Sequence, residues 1–157
     1  MQGGFNKALS MAWDPTSIKT VFHIFDAPGH GKDICDTGDG YPAGSPEGFK
    51  IQDQMQEFAR MKINFTCVKV NESCNKMINV MRDSYQQGGM ALNVTDLASA
   101  CQTKSQTEVT KDFIKATSYI LSAAIGGGKP GAKSAKVVRK GAPLWDAAKL
   151  AEGQFFS

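Results

Sequence analysis

Asp26 and His30 are the residues best placed to do chemistry. Asp26 closes the apolar run Lys-Thr-Val-Phe-His-Ile-Phe at residues 19–25, and His30 follows between Gly29 and Gly31. A carboxylate in that position can accept hydrogen bonds, ligate a hard cation or take up a proton, and an imidazole can relay one. In open α/β sheets, ligands bind in the crevice beyond the carboxyl ends of strands, which makes Asp26 the leading functional carboxylate. The plainer role for Asp26 is to brace the turn that it opens. His23, inside the run, is expected to be a satisfied core or edge histidine. Asp33, Asp36 and Asp39 recur every third residue, but the D-x-D-x-D-G spacing and terminal Glu of a calcium loop are missing, so solvated loop carboxylates are expected.

Other chemistries find little support. There is no G-x-S-x-G, no H-E-x-x-H and only two histidines, so a catalytic triad and an enzyme are not expected. Gly127 to Ser134 comes within one residue of a phosphate loop. However, Ala132 replaces the required glycine, Pro130 removes a backbone donor and the preceding segment reads as a helix, so a basic linker is expected there. Cys35, Cys67, Cys74 and Cys101 form no C-x-x-C pair, which argues against zinc knuckles and redox motifs. Cys67 lies in an apolar run and should be a buried structural thiol. The sequons at Asn64, Asn71 and Asn93 are expected to be silent, Asn64 because it falls within a strand.

The elements that must position Asp26 and His30 follow from periodicity. Residues 3–13 carry Phe5, Ala8, Leu9 and Ala12 at helical spacing, and Asp14-Pro15 ends that helix. Residues 19–25 read as a strand buried on both faces. Residues 27–49 are rich in Gly, Pro and Asp and form a long loop of the kind that is often functional. Ser45-Pro46-Glu47 resembles a helix start, with the helix running to Met61 and burying Ile51, Met55, Phe58 and Ala59. Residues 63–70 read as a second strand and 90–97 as a third. Residues 73–87 form a helix burying Met77, Ile78, Met81 and Tyr85, stopped by Gly88-Gly89, and 107–125 form the longest helix.

Strands alternating with helices imply a Rossmann-like α/β fold, a partial doubly wound parallel sheet of about three strands with flanking helices. If the strand at 19–25 is central, a sheet with so few strands leaves one of its edges unpaired, and an apolar open edge is a site for another chain. The expected organisation is an α/β domain over 1–125, a flexible Gly/Lys-rich linker over 126–141 and a short helical or extended tail over 142–157, with Trp145, Phe155 and Phe156 free to pack on the body or a partner.

Of the 157 residues, 41% are apolar and 21% charged, which suits a packed domain. The net charge of +3 belongs to the tail. Through residue 125 there are 12 Lys and Arg against 13 Asp and Glu, and from 126 onward 6 against 2. The body therefore offers no basic face for nucleic acid. No window of 18 apolar residues and no signal-like N-terminus is present, so a membrane partner is not expected and the cytoplasm is the expected location.

One family is similar. Thr20-Val-Phe-His-Ile-Phe-Asp-Ala-Pro-Gly-His-Gly31, followed by Asp39-Gly-Tyr-Pro-Ala-Gly-Ser-Pro-Glu-Gly48, resembles the von Willebrand factor A (VWA) domains associated with atypical alpha-kinases. In those, a strand ends in Asp-Ala-Pro-x-His-Gly and a Tyr-Pro-x-Gly-Asp-Pro loop precedes the next helix. Gly3-Gly4-Phe5 with Ala8-Leu9 and Trp13 is similar to the helix before that strand, so the resemblance covers about residues 2–122, the C-terminal portion of such a domain. The family's metal-ion-dependent adhesion site draws on three loops. Of these, only the strand-end Asp maps here, onto Asp26, so the resemblance implies an incomplete site for Mg²⁺. Ser45 stands where the family has Asp, and no alpha-kinase catalytic segment follows Ile125, so kinase activity is not implied. The resemblance also implies that the strand at 20–25 lacks its neighbour.

The expectation is a protein–protein interaction module whose contact loop carries Asp26, His30, Asp39 and Tyr41. The alternative is a structural subunit of a larger assembly, with the sheet edge and the aromatic tail packing on partner chains.

Overall fold

In sequence order, a helix, a strand and a long loop lead into alternating helices and strands. The computed structural model describes residues 1–36 and 38–126. The tail with Trp145, Phe155 and Phe156, the phosphate-loop look-alike and the linker beyond residue 126 lie outside the described residues. The chain divides into two units, Met1–Thr103 and Lys104–Ser157.

In the first unit, β1 (Lys19–Phe25), β2 (Ile63–Lys69) and β3 (Asn93–Asp96) form one open parallel sheet in the order β1-β2-β3. The β1 register runs without a gap from Lys19 opposite Ile63 to Phe25 opposite Lys69. β2 is the strand buried on both faces: Phe65, Thr66, Cys67 and Val68 have no exposed surface. The expectation that β1 is buried on both faces is corrected. β1 is an edge strand, and Ile24 is 56% exposed.

Helix α1 (Gln2–Leu9), α2 (Ile51–Arg60) and α3 (Asn75–Gln87) each bring an aromatic ring against Phe65: Phe5 at 5.3 Å, Phe58 at 4.9 Å and Tyr85 at 6.5 Å between centroids. All three helices therefore pack on one sheet face. Aromatic pairs of this kind add to the hydrophobic stabilisation of the core. α1 ends at Leu9 and not near Trp13, because the Trp13 indole N–H donates to the Ala8 carbonyl at 2.8 Å and draws the chain back over the last turn.

α2 begins at Ile51, six residues after the expected start at Ser45. The Gly48 N–H closes a turn onto the Ser45 carbonyl at 2.9 Å with φ of +74°, a left-handed conformation that no α-helix continues through. Before α3, the Asn71 side chain caps a 3₁₀ turn at Glu72–Cys74 by accepting from the Ser73 N–H.

β3 has four residues where eight were expected, and Tyr85 supplies the reason. Pairing begins at Thr66 opposite Asn93. Below that point the buried Tyr85 hydroxyl accepts from the Phe65 N–H at 3.1 Å and donates to the Ile63 carbonyl at 2.6 Å. One phenol thus satisfies the β2 groups that a longer β3 would have met. β3 runs straight into α4 (Ala98–Thr103), a short helix unforeseen in the sequence, whose first turn is held by the Asp96 carboxylate on the Ala98 N–H. In the second unit, α5 (Gln106–Gly126) starts at a capping box in which Ser105 and Glu108 bond each other reciprocally.

Candidate functional site

The loop between β1 and α2 is anchored before it is shaped. Its root is buried at Gly29, where an added Cβ would meet Met1 Cε at 2.5 Å and Ile34 Cδ1 at 3.3 Å. The Gly29 N–H donates to the Met77 thioether of α3 at 3.2 Å. Gln54 of α2 donates to the Gln2 carbonyl at 2.8 Å, and the Gln2 side chain donates to the His30 carbonyl at 3.3 Å, so two helices hold the backbone of the candidate histidine. Lys76 reaches across to the Lys32 carbonyl and Asp36, and Gln52 to Asp33.

Asp39 organises the outer part of the loop. One carboxylate oxygen accepts from the Gly31 N–H at 2.6 Å. The other accepts from the Tyr41 N–H at 2.9 Å and meets His30 Nδ1 at 2.7 Å. Gly31 presents its N–H this way at φ of +124°, open to glycine and strained for other residues. The Asp39 side chain is 7% exposed. The Gly31 and Tyr41 N–H groups, with His30 as a smaller contributor, pull its pKa down from 3.8 to about 2. An ionised carboxylate only accepts, so Nδ1 of His30 carries the hydrogen and Nε2 is the ring nitrogen left for a partner. The His30 and Tyr41 rings meet edge to face at 4.8 Å, and Tyr41 is 52% exposed. The arrangement offers a braced aromatic and imidazole surface for contact.

The structure brings together three of the four expected loop residues, His30, Asp39 and Tyr41. Asp26 is exposed at the end of β1 and joins none of their hydrogen bonds. Its charge acts elsewhere: burial first, and then Asp26, hold the Cys74 thiol above its ordinary value. Among the described residues, no group of three or more His, Cys, Asp or Glu side chains could hold a metal ion. Mg²⁺ asks for several oxygens around it, and Asp26 does not gather them. Asp33, Asp36 and Asp39 turn to three different partners, and Asp39 is a half-buried hub bonded to the loop backbone where a solvated carboxylate was expected.

Two features went unread in the sequence. Lys69, buried at the carboxyl end of β2, binds Asp96 at 2.6 Å, Glu72 at 2.8 Å and Asn75 at 2.9 Å. Burial alone lowers its pKa, but Asp96 and Glu72 outweigh it and leave it raised. A lysine ending an apolar run, with an aspartate ending the next, was the available signal. His23 is half-buried on the edge strand, and its buried Nδ1 has no hydrogen-bond partner, which corrects the expectation of a satisfied histidine. Stacked on Phe25 at 4.4 Å and edge-on to Phe5, it is desolvated to a pKa of about 4.

No family model matches the chain, and no solved structure matches it. It is similar to a protein of Dictyostelium discoideum named "Alpha-protein kinase vwkA", with 38% identity over 69 residues. Those residues are 44% of this chain and 11% of that protein, so the chain spans about a tenth of the relative's length. No helix among the described residues is long and apolar enough to cross a membrane.

Proposed function

We propose that this chain is a protein-interaction module of the VWA-like kind, and that it binds through the loop that follows β1 rather than by catalysing a reaction. The carrying observation is the Asp39 hub, which fixes His30 and the exposed Tyr41 ring side by side on a loop anchored to α1, α2 and α3. Loops held this way by a rigid scaffold commonly carry binding function. The name of the Dictyostelium relative and the resemblance of residues 20–31 and 39–48 support the VWA-like reading. The partner is a protein, and no step is routed through a cation.

The test places a photo-crosslinking residue at Tyr41 and, in a second version, at the exposed Asn79 of α3, in the full chain expressed in its own cells. A discrete adduct is expected at position 41 and not at 79, and it should be lost when Asp39→Ala is added. Equal adducts at both positions, or an adduct indifferent to Asp39→Ala, would overturn the reading.

A further inference from the structure

Asp39 alone among the aspartates precedes a glycine, and no asparagine does. That pair can react with itself. The backbone nitrogen of Gly40 can bond to Cγ of a neutral Asp39 carboxyl, closing a five-membered succinimide. One carboxyl oxygen leaves as water, taking the acid proton and the amide hydrogen. Water then reopens the ring. When it adds at the former main-chain carbonyl the product is isoaspartate, in which the chain runs to Gly40 through Cβ and Cγ and a free carboxylate stays on Cα. Gly40 is exposed and has no Cβ to crowd its nitrogen, and a Cβ added there would meet nothing within 4 Å.

The hub opposes this step. Ring closure expels one carboxyl oxygen, and neither is idle: one is held by the Gly31 N–H at 2.6 Å, the other by the Tyr41 N–H at 2.9 Å and by His30 Nδ1 at 2.7 Å. The same donors favour the ionised carboxylate, which has no hydroxyl to lose. We propose that Asp39-Gly40 is a self-isomerising site held in check by the intact hub: once the carboxyl is released, the Gly40 nitrogen closes on it, and the isoaspartate formed removes the residue that orders the loop. The product cannot rebuild the hub. Its main chain is longer by a methylene and its carboxylate sits one carbon nearer the backbone, so it no longer reaches Gly31 and Tyr41 together. A reversible opening thereby becomes a permanent one, and His30 and Tyr41 lose the brace that sets them side by side. The site depends on the geometry of the hub, whatever the loop binds.

Heavy-oxygen water reads the reaction in the full chain, because every reopened succinimide carries one oxygen from the solvent. Mass-spectrometric fragmentation places that oxygen and separates isoaspartate from aspartate. At neutral pH, Asp39 should take up label about tenfold or more slowly in the native chain than in urea. In urea it should lead the other aspartates, and Gly40→Ala, whose methyl has open space in the fold, should slow it. Tyr41→Pro and His30→Ala each remove one donor to the carboxylate at an exposed position. With the fold checked by circular dichroism, each should speed labelling in native buffer about threefold or more. The isomerised fraction should also be nicked in the loop faster than the unmodified chain. Equal rates in buffer and urea, rates that neither donor variant raises, or a faster reaction at another aspartate in urea overturn the inference. Label without isoaspartate, label indifferent to Gly40→Ala, or an isomerised loop as protease-resistant as the native one overturns it as well.

Discussion

Asp39 does more for the candidate surface than either residue it displays. It converts two backbone N–H groups and an imidazole into one fixed arrangement, and its depressed pKa records how strongly they favour the charged form. A carboxylate whose pKa falls on folding contributes order that is complete above its unfolded value of 3.8 and lost as the pH drops through about 2. Proteolytic nicking of the loop should therefore accelerate across that window in the native protein. In Asp39→Asn it should already be fast at neutral pH, because one amide oxygen cannot replace two carboxylate oxygens. Limited proteolysis with an acid-tolerant protease reads both outcomes. The sequence placed Asp39 in the loop but did not reveal its bonds to the loop backbone, since these depend on the left-handed turn at Gly31, eight residues away.

The elements show where pattern is legible and where it stops. β1 and β2 were readable as strands because dense runs of β-branched and aromatic residues have few alternatives, and α3 was readable from Met77, Ile78, Met81 and Tyr85 on one face. The start of α2 was misread because Ser45-Pro46 supplies a capping signal that Gly48 then cancels. The length of β3 was not readable at all, because it is set by a hydroxyl from another element. Tyr85→Phe should cost about 1–3 kcal/mol, since it strands the buried Phe65 N–H and Ile63 carbonyl without their partner. Urea denaturation should show a lower midpoint with an unchanged slope, and the Phe65 amide should exchange faster.

At the scale of the molecule, the imidazole of His23 packs against the aromatic core, where burial keeps it neutral across the biological range. Burial, helped by the N-terminal ammonium, lowers the His23 pKa from 6.5 to about 4. The unfolded chain then binds a proton that the folded chain refuses, so stability is full above pH 6.5 and declines as the pH falls toward 4. The expected loss across that window is up to about 3 kcal/mol. His23→Phe should remove this part of the slope and keep the ring contacts with Phe5 and Phe25, a result that thermal melts from pH 7 to pH 4 would show. The α/β architecture was legible in the sequence, because element order expresses it directly. The unpaired Nδ1 was not, because a histidine in an apolar run reads the same with or without a partner.

The bond from the Gly29 N–H to the Met77 sulfur gives the loop a chemical clock. That sulfur has no exposed surface while the root of the loop is closed, and peroxide reaches it only when the root opens. Because closing outpaces the oxidation, sulfoxide at Met77 would accumulate in proportion to the fraction of time for which the root stands open.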